Sequence, residues 1–423
     1  MSNVTIMILI KKIGEEGGGK ASALELAETL QQLDYRVYIG LTNEYSLIYK
    51  LKHIKDKNTI IPFSRIYTVA KDIERQVETR RDPGKGNYLL YRIKKIIKHI
   101  MTVNEYRQGK FYSALNNADL IIDASDLSDQ GFKQLRSRAG GPVVLNHNGS
   151  PEAFENFFLS SNYKDKTHHD KKELYNDYLK RYDGLLFQAA DQAKECQERN
   201  PDLQIPAYVV MPTCRELDVL AGRQKPTPYR DGRLALVCVG SIQPRKGQHK
   251  ALAVFEKIAG KHENVDLHFV GGIHSKGREY YNELKQLARS SVFEERIFFH
   301  GFRKDWLRFM AHANVLIQVS EAEGVSRILR EAMLLKLPVV SFDISGTKSL
   351  LSKGKDAFLV EYDDLDAFAD AVNRCLEDPA LARAMGKAAF QKYLLNNSKA
   401  AYAANLIKVV ENLVLKKEVT INE

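Results

Sequence analysis

The sequence predicts an α/β protein of two Rossmann-like, doubly wound domains facing each other across a cleft. Three observations carry this. Twelve short apolar runs alternate with amphipathic segments along most of the chain. The runs are continuous and rich in β-branched residues, as in strands covered on both faces of a parallel sheet. The chain, at 423 residues, is also too long for one core at roughly 150 residues per domain. Finally, a polar stretch with two prolines and two glycines, GRQKPTPYRDGR (222–233), divides two successive βα series.

The strands expected in the first half are VTIMILI (4–10), YRVYIG (35–40), DLIIDAS (119–125), PVVLNHN (142–148), GLLFQA (184–189) and AYVVMP (207–212). In the second half come LALVCVG (234–240), VDLHFVGG (265–272), RIFFHG (296–301), VLIQVS (315–320), PVVSFD (338–343) and AFLVEY (357–362). Helical patterns such as KALAVFEKIAGK and YYNELKQLARSS lie between them. The domains are read as 1–225 and 226–395, with 396–423 a helix that packs back on the first. Open α/β sheets bind ligands beyond the carboxyl ends of their strands, so the loops after strands hold the site.

Composition excludes some classes. Hydrophobic residues make up 44% and charged residues 27%, and no apolar run approaches 18 residues, so a membrane-spanning helix is not expected. The N-terminus lacks the pattern of a secretory signal. Four scattered cysteines, Cys196, Cys214, Cys238 and Cys375, without C-x-x-C spacing, suit a reducing, cytoplasmic setting and no zinc site. The net charge of +10 is uneven, with sixteen Lys or Arg against six Asp or Glu between residues 50 and 110. Within it, LLYRIKKIIKHI (89–100) places apolar and basic residues at helical spacing. It reads either as a helix packed by one face on its own domain or as a contact for an anionic membrane surface. No nucleic-acid-binding motif is present, so nucleic acid is not expected as a partner.

The first glycine-rich loop, IGEEGGGKAS (13–22), has the Gly14-x4-Gly19-Lys20 spacing of a phosphate-binding P-loop. Ala21 stands where a Ser or Thr hydroxyl would hold Mg²⁺, and Ser22, one residue late, is turned about 100° away on a helix. A P-loop ATPase or kinase therefore lacks its metal ligand. THHD (167–170) offers two histidines and an aspartate without further ligands at suitable spacing, and reads as the start of a polar surface helix.

The second half is more specific. After the strand ending at Gly240 comes SIQPRKGQ, with Ser241, Arg245 and Lys246 ahead of a helix whose N-terminus suits a diphosphate. VGG and HG close the next two strands. VSEAEGVSRILREAM then sets Glu323 and Glu331 eight apart, one at a helix entrance and one inside it. Taken alone, such a pair is ordinary helix decoration.

In this order the motifs resemble the donor half of the family 4 retaining glycosyltransferases, which have the two-domain GT-B fold. The resemblance covers residues 234 to about 390 well and the first domain loosely. It implies that Lys246 and a nearby Arg, here Arg245, hold a nucleotide diphosphate and that Lys246 is an exposed cleft lysine. Glu323 is implied near the transferred sugar and Glu331 on the ribose hydroxyls. Gly301 and Phe302 are implied at the base, and Gly324, Val325 and Ser326 around the donor. Gly18, Gly19 and Lys20, in a loop ahead of the helix ALELAETLQQL, face the donor from the first domain, and His147 approaches the sugar.

The departures are Ser241 where the family has Arg, EGVS (323–326) for E-G-F-G, SGTKS (345–349) without the usual Glu, and PTCRE (212–216) for P-N-G-V-D. The implied activity is metal-independent, retaining hexosyl transfer from a UDP- or GDP-linked sugar to a glycan or lipid-linked acceptor in envelope or polysaccharide synthesis. No separate cofactor is implied. A cytoplasmic enzyme, peripheral on the inner membrane face, is expected. A GT-B glycoside phosphorylase and a P-loop ATPase or kinase are the alternatives.

Overall fold

The computed structural model describes residues 4–10, 18–41, 60–62, 111–124, 129–147, 155, 168–214, 216–274 and 277–415. The basic segment 89–100 lies outside them.

Seven strands form the first sheet: β1 (Thr5–Ile10), β2 (Arg36–Leu41), β3 (Ile60–Pro62), β4 (Leu120–Ala124), β5 (Val143–His147), β6 (Gly184–Phe187) and β7 (Ala207–Val209). Their order is β3-β2-β1-β4-β5-β6-β7, every pairing parallel. Six form the second: β8 (Leu234–Val239), β9 (Val265–Val270), β10 (Ile297–Phe299), β11 (Val315–Gln318), β12 (Val339–Phe342) and β13 (Phe358–Val360), in the order β10-β9-β8-β11-β12-β13, again all parallel. The strand order reverses between β1 and β4 and between β8 and β11, the doubly wound pattern with its switch points beside the central strands.

Among the described residues all twelve expected strands are present, and the one strand the sequence did not disclose is β3. Continuous apolar runs follow from burial on both faces. Ile6, Met7, Ile8 and Leu9 of β1 have no exposed surface. In β8, Leu236 and Cys238 enter one apolar cluster with Phe255, Leu267 and Ile317, while Val237 enters another with Leu329, Met333 and Tyr393.

The chain divides into two compact units. One comprises Met1–Phe187, Glu195–Val209 and Ala403–Glu423; the other comprises Gln188–Lys194 and Val210–Tyr402. This division falls after Val209, and the boundary expected from the sequence is 225/226. The helix Glu216–Arg223 joins the second unit because Val219 is buried in its core. The proline-containing stretch that divides the two βα series is also packed: Arg308 donates to the carbonyls of Pro226 (2.7 Å) and Thr227 (3.3 Å), and Tyr229 Oη donates to that of Phe309 (2.6 Å). The helix Lys399–Val410 starts in the second unit and ends in the first.

Candidate functional site

The candidate site is built on loops at the carboxyl ends of β8 to β11. Three of those ends are joined by main-chain hydrogen bonds: Gly240 N–H to Val270 O (3.0 Å), Ile242 N–H to Gly272 O (2.8 Å) and Gly271 N–H to Gly301 O (2.9 Å). Phe302, next to Gly301, is 57% exposed and leans on Gly272.

After β8, Pro244–Lys246 forms one 3-10 turn that ends at Gly247 in a left-handed conformation, φ 65°. Only glycine fits there, since a Cβ would lie 2.2 Å from the Val319 carbonyl oxygen. This close approach brings the turn against the loop after β11. Arg245 Nη1 donates to the Ala322 carbonyl (2.5 Å), and the Arg245 carbonyl accepts from Glu321 N–H (2.9 Å).

Lys246 then forms an ion pair with Glu323, and the same Oε1 accepts from Ser320 Oγ at 2.7 Å. Lys246 is 20% exposed and Glu323 9%. This corrects the picture of an exposed lysine: its ammonium is already engaged, with two of its three donors left for a ligand. Arg245 is likewise a clamp on the 321–323 loop, with other guanidinium N–H groups still to offer.

The helix N-terminus expected to receive a diphosphate is partly occupied. The first helical N–H groups need partners, and His249 N–H of the helix Gln248–Ala259 donates to Tyr280 Oη (3.0 Å). Ser241 is held from the same side: its Oγ accepts from Gln243 Nε2 (2.9 Å) and its carbonyl from Gln248 Nε2 (3.0 Å).

Past Glu323 the sequence reading needs further correction. Val325 is buried among Leu329, Met333 and Ala332, so its side chain serves the core. Ser326 caps the helix Arg327–Leu335, accepting from Leu329 N–H while donating to Gln318 Oε1 (2.9 Å). Its hydroxyl is therefore committed to the fold. Glu331 is 3% exposed, accepts from Trp306 Nε1 (3.1 Å) and has Arg327 Nε 3.6 Å away. Burial raises its carboxyl above the ordinary value, although Arg327 and Trp306 pull it down. Ser320, Trp306 and Arg327 were not legible as site residues, because nothing in their spacing links them to either glutamate.

Of the first-unit candidates, Gly18, Gly19 and Lys20 belong to the opening turn of the helix Gly18–Gln32 rather than to a loop before it. Glycine is tolerated there because the first four N–H groups of a helix have no intrahelical partner to lose. His147 ends β5 with no exposed surface, its ring tilted against Phe187 (5.1 Å between centroids) and 3.4 Å from Tyr175 Oη. It occupies a core position, which corrects the expectation that it reaches a sugar. His168 does open a helix, His168–Leu179, as expected. Among the described residues no three His, Cys, Asp or Glu side chains cluster to hold a metal ion, and no helix is long and apolar enough to cross a membrane.

Residues 223–392 match the family model of glycosyl transferases group 1. The matched span contains every second-unit candidate from Ser241 to Glu331.

The capsular polysaccharide biosynthesis glycosyltransferase CapM of Staphylococcus aureus is 24% identical over 148 residues, 35% of this chain and 38% of that protein. An Escherichia coli UDP-Gal:alpha-D-GlcNAc-diphosphoundecaprenol alpha-1,3-galactosyltransferase is 29% identical over 104 residues, 24% of this chain and 27% of that one. The chain thus matches less than half the length of these relatives.

Likeness in fold is wider. HepE of Anabaena, solved in complex with UDP and glucose, has a TM-score of 0.67 at 17% identity, over 96% of this chain and 99% of that one. A glycosyltransferase from Rickettsia africae has a TM-score of 0.70 at 15% identity, over 98% and 99%. The fold is the expected two-domain α/β architecture of GT-B glycosyltransferases.

Proposed function

We propose that the protein is a retaining, metal-independent glycosyltransferase. It moves a sugar from a UDP- or GDP-linked donor to a hydroxyl of a glycan or lipid-linked acceptor, in capsule, wall or other polysaccharide synthesis. One observation carries this reading: Lys246, Glu323 and Ser320 converge at the carboxyl ends of β8 and β11, beside the switch point of the unit that matches the glycosyl transferases group 1 model. The uridine nucleotides named for the HepE complex and the E. coli relative favour a UDP-linked donor.

Departure of the nucleotide diphosphate develops negative charge on its outer phosphate. The remaining Lys246 donors and the Arg245 guanidinium answer that charge. Glu323, fixed by Lys246 and Ser320, lies beside them for the transferred sugar, and Glu331 anchors the ribose. The departing phosphate takes the acceptor's proton. The acceptor is assigned to the first unit, and the enzyme to the cytoplasmic face of the membrane, where residues 89–100 meet anionic lipid.

A thermal-shift screen of UDP, GDP and ADP and their sugars tests the donor assignment. A ligand at a hundred times its Kd stabilises by about 2.7 kcal/mol. Stabilisation by one nucleotide family, with release of that nucleotide on adding acceptor, is expected. No response to any nucleotide, together with phosphate-dependent sugar release, overturns the reading in favour of a phosphorylase.

A further inference from the structure

The segment Gln188–Lys194 follows β6 of the first sheet, yet it belongs to the second compact unit. Ala189, with no exposed surface, lies in the same apolar cluster as Val325, Leu329 and Met333. That anchor precedes the helix Ala190–Arg199, whose first turn carries Asp191, and Asp191 Oδ2 accepts a 2.9 Å hydrogen bond from Ser345 Oγ. The other carboxylate oxygen, Oδ1, is closed to solvent and takes no hydrogen bond from the described residues. A hydrogen bond to a carboxylate is about twice as strong as a neutral one.

Ser345 opens the short helix Ser345–Lys348. Its neighbour Gly346 lies flat on the loop that bears Glu323: a Cβ there would stand 2.0 Å from the Gly324 carbonyl oxygen and 2.4 Å from that of Glu323. One residue therefore separates the Asp191–Ser345 bond from the backbone of Glu323. On its other side the loop is held by Arg245.

We infer that Asp191 is a positioning residue for sugar transfer: through Ser345 and Gly346 it fixes the Glu323 loop from behind. The inference rests on the proposed function. It gives the family-atypical SGTKS stretch a task in this chain, which is to back the glutamate rather than to present one of its own.

The test uses the UDP- or GDP-sugar that the unmodified full-length protein turns over fastest, with release of the nucleotide as readout. Asp191→Ala and Ser345→Ala are each expected to lower kcat about tenfold while donor KM moves less than twofold. The double variant should be no worse than either alone, because both break one bond. Asp191→Asn, which keeps an acceptor oxygen, should return kcat to within about threefold of the unmodified protein. Equal losses in all three single variants, or a loss confined to KM, overturn the positioning role, as does unchanged kcat in Asp191→Ala. Lys246→Ala in the same series tests the underlying reading separately: if it keeps full turnover, the proposed site fails whatever Asp191 does. If it alone is inactive, only the present inference fails.

Discussion

Replacing Lys246 by Met separates the two duties that the structure gives this side chain. The Met stem keeps the packing beside Gly240, where the Lys246 Cε would be 3.8 Å from a Cβ at that glycine. What disappears is the ammonium, and Glu323, 9% exposed, is left with Ser320 as its hydrogen-bond donor. Removing one partner of a fully buried pair costs about 3–5 kcal/mol. Because Lys246 retains 20% exposure and the Ser320 bond survives, the cost here is about 2 kcal/mol. For a unit of this size that lowers the melting temperature by roughly 4–8 °C.

Catalysis should suffer more. Loss of one charged contact to a leaving phosphate is worth about 3 kcal/mol of transition-state stabilisation, a hundredfold or more in turnover. Adding Glu323→Gln removes the stranded charge. The double variant should therefore regain most of the melting temperature and none of the turnover. Differential scanning calorimetry and nucleotide release, run on the same preparations, measure the two effects. A Lys246→Met protein with unchanged melting temperature and near-normal turnover refutes both the ion pair and the diphosphate assignment. Recovery of activity in the double variant refutes the assignment alone.

Other outcomes are expected with it. Glu331→Gln should raise donor KM about tenfold with a smaller change in kcat, read by initial rates, since ribose does not react. The same variant has a pH signature. The folded-state pKa of Glu331 lies above its ordinary value of 4.5 because of burial, so ionising it destabilises the fold as pH rises through that raised pKa, and the penalty is absent below the unfolded value. Urea unfolding should show Glu331→Gln more stable than the unmodified protein at pH 7, with the gap closing below about pH 4; a gap that widens on acidification contradicts the burial argument. Gly247→Ala should cost about 2–3 kcal/mol in urea titration, from the left-handed conformation and the 2.2 Å approach to Val319. EDTA should leave transfer unchanged, and loss of activity restored by Mg²⁺ argues against metal independence. Residues 89–100 should bind anionic vesicles with a salt-sensitive affinity of about 1 kcal/mol per cationic side chain. Equal partition to neutral vesicles, or no effect of changing Arg92, Lys94, Lys95 and Lys98 to Gln, makes them a solvated helix.

The sequence disclosed what is periodic and what is local. Strands buried on both faces are continuous apolar runs, so all twelve expected strands appear in the sheets. β3 escaped because a three-residue edge strand ending in Pro62 has neither the length nor the pattern of one. Lys246 and Glu323 were each legible from their own loops. Their pairing was not, since 77 residues separate them and only the order of β8 and β11 in the sheet brings the loops together. His147 shows the opposite limit. Its place at a strand end suggests a ligand contact, but a strand alternates its side chains between faces, and the core packing of Tyr175 and Phe187 took this one.

Glycines of the second unit serve the protein's own packing. At two of them the protein's own backbone occupies the space that a side chain would fill. Gly247 admits Val319, and Gly346 admits Glu323 and Gly324. These contacts tie the strand-end loops together, and the Tyr280 hydroxyl occupies one N–H of the nearest helix terminus. What remains for an anionic ligand is side-chain charge, carried by Lys246 and Arg245 on a turn that cannot shift without displacing Val319. Binding at these loops should therefore be dominated by those two side chains, with the helix N-terminus contributing little. If so, Tyr280→Phe, which frees the His249 N–H without touching the turn, should strengthen nucleotide diphosphate binding slightly or leave it unchanged by calorimetry. A clear weakening would show that the Tyr280 hydroxyl belongs to the ligand rather than to the helix.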